Sequence, residues 1–333
     1  MSYTYKRKLD GAWITLIGAV VSAPVDTFHM GVTEPVITNS GHRYLPTNEI
    51  NSSVTLSVGQ TFSGNVVKGR INIPQAATGT IIIEDVLVDA SASTTTSGLI
   101  INIHPNTGAE VIIRHVTIKG TTGTIGVGTR YFHLYRCHIY NVEDGVRCHN
   151  YAGTGQAART VIEGNLIEKL IVRVPDPNQV RDDDRTHSDG IQIEGGDGII
   201  IRGNAIHCTA STDGTSNIEW ALNTSPYKSV AAGTANARPH PQGSQVIALT
   251  PNVSPITNLT VQDNWFYGGE MGVNAGKSAN STTTALFSGN RYDRGQWHAG
   301  YAINVHSTAN GIIFSGETYM DDGAPVAVRG RAA

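Results

Sequence analysis

One short phrase recurs eight times in this chain: an apolar residue, a polar residue, and a second apolar residue four positions further on. The polar anchors are Glu84, Arg114, Tyr135, Glu163, Arg202, Gln262, Ser288 and Ser315. Four residues after them stand Val88, Ile118, Ile139, Ile167, Ile206, Phe266, Tyr292 and Tyr319. The phrases alternate with period two and are separated by clusters of Gly, Asn, Asp and Thr, which marks them as strands and not as helical repeats. A strand unit repeated every 21 to 60 residues, with no helix between copies, cannot bury its own face and must stack on its neighbours. In four units the second residue after the anchor is Asn165, Asn204, Asn264 or Asn290, and in the unit before them it is Cys137. Asn side chains stacked in identical turns can form a hydrogen-bonded ladder.

Composition narrows the function. Lys and Arg number 24 against 27 Asp and Glu, a net charge of −3, which argues against a polybasic nucleic-acid binder, so no nucleic-acid partner is expected. The apolar run from Trp13 to Val21 is shorter than the ~20 residues of a spanning helix, and no membrane partner is expected. Cys137, Cys148 and Cys208 are too few and too scattered for a disulfide framework and read as small buried hydrophobes. The sequence has no phosphate-binding glycine loop, no cysteine or histidine metal box and no serine nucleophile motif.

A second strand follows in most units. With Val146, Ile191, Val273 and Ile303 facing inward, one outward column reads Arg147, Gln192, Ala248, Asn274, Asn304, and the next reads His149, Glu194, Thr250, Gly276, His306. Two long insertions, between Ile167 and Ile191 and between Ile206 and Ile247, leave the same corner of neighbouring coils and predict a binding face beside those columns. The insertions carry Arg185, Trp220 and Tyr227, and a shorter excursion carries Trp297. The aromatics offer flat faces for sugar rings, or else pin their own loops.

Asp144 and Asp189 each precede a glycine at the start of this second strand in consecutive coils, ~4.8 Å apart at the backbone if the register holds. Two carboxylates that close split their pKa values, and one protonated with one ionised carboxyl is what glycosidic cleavage needs. Glu194, two residues beyond Gln192, is a further candidate for such a pair. The structural alternative is that Asp-Gly is simply a favoured turn pair. A lyase would instead need a base such as His187, with arginines neutralising a uronate carboxylate. No cofactor is required by these readings; Asp182, Asp183 and Asp184 are candidate oxygen ligands for Ca²⁺, or a solvated loop.

Taken together, the repeated phrase and its Asn positions, from about Thr80 to Gly330, resemble the right-handed parallel β-helix of pectate-lyase-like enzymes and of bacteriophage tailspikes and minor tail proteins. The resemblance implies an all-β, single-stranded parallel β-helix of about eight or more coils with long loop insertions on one side. His187-Ser188-Asp189-Gly190 is similar to the Asn-Thr-Asp-Gly element of polygalacturonases, of which only Asp189 carries over, and the later catalytic elements of that family are absent. The phrase His187 to Gln192 is similar to one in minor tail proteins of actinobacterial phages. This resemblance implies a virion tail or extracellular location, cell-surface polysaccharide and other tail proteins as partners, and a homo-oligomer, a trimer by preference.

Residues 1–75 lack the phrase and read as an amino-terminal cap or attachment segment; residues 76–333 read as the β-helix domain. Only Gly330 to Ala333 follow the final strand, too few to cover the last coil, although Asp321, Asp322 and Pro325 can blunt its edge. The favoured expectation is a tail-associated protein that binds host polysaccharide, with its cleavage left open. A secreted polysaccharide lyase or hydrolase, and a structural or adhesive β-helix without chemistry, are the alternatives.

Overall fold

A computed structural model describes residues 40–92, 98–149, 160–171, 187–208, 245–276, 280, 284–294, 302–306, 309 and 311–330, together with the backbone of four strands nearer the amino terminus. Those four form two antiparallel pairs, Thr4–Leu9 with Ala12–Ile17 and Asp26–His29 with Val32–Pro35. Everything else belongs to a right-handed parallel β-helix built of three sheets.

The first sheet runs from Val58–Ser63 to Ile312–Ser315, the second from Asn48–Ile50 to Thr318–Tyr319, and the third from Val54–Thr55 to Val328–Arg329. All eight anchors lie in one register on the first sheet, from Glu84 beside Arg114 to Ser288 beside Ser315. The residues four positions later form one buried column of the second sheet down to Tyr292, with Tyr319 half-buried at its end. The register continues one unit further back: Ser63 pairs with Glu84, and Val67 with Val88. The solenoid sheets therefore begin near Asn48, not at residue 76. The earlier unit, Phe62-Ser63-Gly64-Asn65-Val66-Val67, carries the same phrase as Phe287 to Tyr292.

One residue makes each corner between the first and second sheets. The position after every anchor is left-handed: Asp85, His115, Arg136, Gly164, Gly203, Asp263, Gly289 and Gly316, with φ between 50° and 71°. A single left-handed residue turns the chain sharply without ending the pairing on either side. The next residue points inward. It is Val86, Val116 and Cys137 in three successive coils, then the four asparagines, all fully buried.

These asparagines form the ladder. The Oδ1 of Asn204 accepts the backbone N–H of Asn165 at 2.9 Å and its Nδ2–H at 2.9 Å, and Asn264 and Asn290 repeat both bonds for the rung before them. Each side-chain amide also donates to a carbonyl of the preceding coil's first-sheet strand, such as Asn204 to Ile162 at 3.0 Å. The final rung is Glu317, whose carboxylate receives the N–H of Asn290 at 3.3 Å, its Nδ2–H at 3.1 Å, and the Tyr292 hydroxyl at 2.5 Å. Aromatic side chains fill the interior near this end: Phe266 meets Tyr292 edge-on at 5.2 Å, and Phe287 stacks on Phe314 at 5.0 Å.

Beyond Tyr319 the chain folds back. Tyr319 donates its N–H to Ala324, Val326 donates to Glu317, and Thr318 bridges Pro325, so residues 324–326 cover the edge of the last second-sheet strand. The edge of the last coil is thus partly covered by its own tail, Pro325 among the covering residues. The three cysteines are buried and unpaired, and burial pushes the Cys137 thiol up to about 12.

Two outcomes follow from the ladder. Asn204→Ala removes the acceptor of two buried donors, and the unfolding free energy in urea should fall by about 3 kcal/mol. Burial pushes the Glu317 carboxyl up to about 7, against hydrogen bonds that favour its ionised form. An acid whose folded pKa lies above its unfolded value of 4.5 gives full stability below that pH and loses it as pH rises to about 7. Glu317→Gln should therefore flatten this part of the stability profile, measured as the difference in unfolding midpoint from the unaltered chain between pH 4.5 and pH 7.5.

Candidate functional site

The third sheet carries the candidate site in the strands Asp144–His149, Ile191–Asp197, Gln245–Leu249, Met271–Ala275 and Ile303–Val305. Val146, Ile191, Ile247, Val273 and Ile303 stack inward in register, which sets Arg147, Gln192, Ala248, Asn274 and Asn304 in one row on the outer side, as the alternation predicts. The row is internally bonded. Arg147 Nε donates to Gln192 Oε1 at 3.0 Å, Gln192 Nε2 reaches Thr250 Oγ1 at 3.5 Å, and Asn304 Nδ2 donates to Asn274 Oδ1 at 2.9 Å.

The neighbouring row departs from simple stacking. Between Cys148 and His149 the register shifts, so that His149 lies opposite Gly195 and not Glu194. Gly195, at φ 152°, fits this bulge because a Cβ there would lie 2.3 Å from Ser254 Oγ. The shift still brings the two side chains together, His149 Nδ1 lying 3.1 Å from Glu194 Oε2, both largely buried. Burial would raise Glu194, but the His149 bond and the Arg147 charge outweigh it and hold the carboxyl below its usual range.

Asp144 and Asp189 stack in consecutive coils, on the inward side. Asp144 Oδ1 accepts the Asp189 N–H at 3.0 Å, and Asp189 Oδ1 accepts the Gln245 N–H at 2.9 Å. Here carboxylates serve the corner before the third sheet as asparagines serve the corner after the first. Gln245 occupies the same position, two residues before its inward Ile247. Extending the register of Asp144 and Asp189 by one coil would have found it. Burial, then the charge of Asp144, pushes Asp189 up to about 8, and burial raises Asp144 against the pull of Arg147, whose Nη2 lies 3.0 Å from Asp144 Oδ2. Burial and the neighbouring Asp144 thus favour the protonated form of Asp189, and at 1 % exposure its carboxyl lies beneath the surface. The face open to a ligand is the outward row.

The glycines after these aspartates are not turn residues. Gly145 and Gly190 lack a left-handed φ, and a Cβ on Gly190 would come within 2.4 Å of Ile206 Cγ2 and 2.6 Å of the Val246 carbonyl. Gly126 and Gly145 meet the next coil's carbonyl in the same way, at 2.4 Å. Each Asp-Gly pair thus joins a backbone acceptor to a residue small enough for second and third sheets to meet.

His187 is half-buried two residues before Asp189, and Ser188 fixes that approach by donating to the Ile171 carbonyl at 2.7 Å. Ile171 with Ser188, and Cys208 with Gln245, bring the ends of both long insertions to this corner in adjacent coils. Asp182, Asp183, Asp184, Arg185, Trp220, Tyr227 and Trp297 lie outside the described residues. Among the described residues, no group of three or more His, Cys, Asp or Glu side chains is arranged to hold a metal ion. No family model, no curated protein and no solved structure matches this chain.

Gly190→Ala should lower the urea midpoint by an amount worth about 1 to 3 kcal/mol, because backbone and core atoms both occupy the space a methyl needs. The same change at Gly203, where nothing lies within 4 Å, meets no atom and is limited by its left-handed φ of 62°, a smaller cost near 1 kcal/mol.

Proposed function

We propose that the outer face of the third sheet binds an extended polysaccharide of a host cell surface, and that the chain is a phage tail-associated β-helix protein of the minor-tail or tailspike kind. The observation that carries this reading is the outward row of hydrogen-bonding side chains, Arg147, Gln192, Asn274 and Asn304, in register on successive strands except where the buried Ala248 stands between Gln192 and Asn274. Neighbouring strands lie ~4.8 Å apart, so a polymer lying along the axis meets a side-chain donor or acceptor at every coil of the row but that of Ala248. Arg147 adds a cation suited to an acidic sugar. The similarity of His187 to Gln192 to phage minor tail proteins supports the biological setting, with other tail proteins and further copies of the chain as partners and Ca²⁺ as an optional ligand of Asp182 to Asp184. A secreted lyase or hydrolase would use the same face.

Binding is tested on a panel of neutral and uronate-containing bacterial polysaccharides, with and without Ca²⁺, by affinity electrophoresis. At least one glycan should be retarded, and Gln192→Ala or Asn274→Ala should weaken it about tenfold, the loss of one good hydrogen bond to a charged or well-placed group. Thr260→Ala, on the first sheet, should leave it unchanged. Retardation of none, or equal loss from all three variants, would remove this reading. Cleavage is the second reading, favoured by His187 and Glu194, which are partly exposed on the strand and approach that carry the outward row. Unsaturated products would indicate a lyase using His187, and new reducing ends alone a hydrolase using Asp189 or Glu194.

A further inference from the structure

The chain enters the solenoid from the side. Gly41 donates its N–H to the Arg136 carbonyl at 2.8 Å, Arg43 grips Asp85, and Asn48 reaches the Gly64 carbonyl at 3.5 Å. Residues 41–48 therefore cross several corners, against the direction of coiling, before the first coil begins. The strap is closely fitted. Gly41 has a φ of 90°, and a Cβ there would lie 2.5 Å from Thr117 Oγ1. His42 gives its N–H to the same hydroxyl at 3.1 Å, and its Nδ1 lies 2.7 Å away, where it accepts the Thr117 O–H when the ring is neutral. Arg43 places Nε at 3.0 Å and Nη2 at 2.6 Å from the two Asp85 oxygens, and its backbone N–H at 2.9 Å from one of them.

Two titratable groups act on His42 directly, Asp85 from one corner and His138 from another, His138 being held by Glu168 at 2.9 Å. Around them, Arg43 meets Glu84 as well as Asp85, and His115 lies near Asp85. With neutral imidazoles, Arg43 and Asp85 form a matched pair. Protonating His42 puts a charge on a largely buried ring, which Asp85 offsets only in part, and leaves the Thr117 hydroxyl proton without its ring acceptor.

We infer that residues 41–47 are an acid-sensitive latch, which tethers the amino-terminal segment to the flank of the solenoid at neutral pH and loosens on acidification. Burial, with His138 adding and Asp85 opposing, holds His42 below its ordinary 6.5. A group with a lowered folded pKa of this cationic kind leaves docking fully favourable above the unfolded value and weakens it as pH falls below, by up to tenfold per pH unit for one proton. The Arg43 to Asp85 fork persists, because the guanidinium keeps Asp85 below its usual range against the effect of burial.

Hydrogen exchange of the full chain, followed by mass spectrometry on the peptide spanning residues 40–46 and corrected for the intrinsic pH dependence, tests the latch. The opening constant should rise as pH falls below about 6.5, by at most about tenfold per unit, and level off once the ring is protonated in the docked strap as well. His42→Asn, whose Oδ1 can replace Nδ1 as acceptor but cannot titrate, should remove the rise, and Gly41→Ala should open the strap at every pH. No rise in the unaltered chain, or an equal rise in His42→Asn, would overturn the inference. Should His42→Asn open at all pH values, the His42 ring followed by nuclear magnetic resonance decides: a midpoint below 6.5 that tracks the opening supports the latch, and one at or above 6.5 refutes it.

Discussion

The register between coils is the constraint from which the rest of this molecule follows. A parallel coil makes none of its ladder hydrogen bonds alone; the N–H groups of one strand wait on carbonyls of the coils on either side. The corners threaten that register, because a turning backbone leaves groups pointing into an apolar interior where an unmet donor is costly. The chain answers with side chains that imitate a strand: asparagine amides at the corner after the first sheet, aspartate carboxylates at the corner before the third. In both places a side-chain oxygen takes the N–H that a neighbouring strand would otherwise take.

Much of this was legible, and the limits were physical. Alternation and spacing identified the eight anchors and their partners because inward residues of stacked coils must be apolar at matching positions. The asparagines were legible because identical side chains recur at one offset. Ser63 escaped because its strand is largely exposed on the preceding side and lacks the dense β-branched run of the later units, although Gly64-Asn65 carries the corner chemistry. Glu317 escaped because the rung changes residue type where the stack ends. The outward row was readable from period two alone, whereas the bulge at His149 was not: a register shift depends on the close approach of Gly195 to Ser254, which involves residues about sixty positions apart.

The aspartates teach a different lesson. Carboxylates stacked one coil apart suggested chemistry, and they do lie one coil apart, with burial favouring their protonated forms. Yet the same geometry that couples them also commits an oxygen of each to a backbone amide and draws both beneath the surface. Proximity of ionisable groups thus follows from the stacking of similar coils as readily as from selection for catalysis, and the outward row next to them is the part that a polymer can reach.

The asparagine ladder also has a direction. Every rung turns its side-chain oxygen toward the amino-terminal coils and its backbone N–H and one of its two side-chain N–H groups toward the carboxyl-terminal ones, so the amides align head to tail along the stack, with the positive pole at the last coil. Glu317 stands at that pole as an acidic residue stands at the start of a helix. The interior is therefore a polarised wire with an anion-accepting terminus, and a chain shortened by its final coil would expose that terminus bare, so the solenoid can be extended by another asparagine rung far more readily than it can be cut.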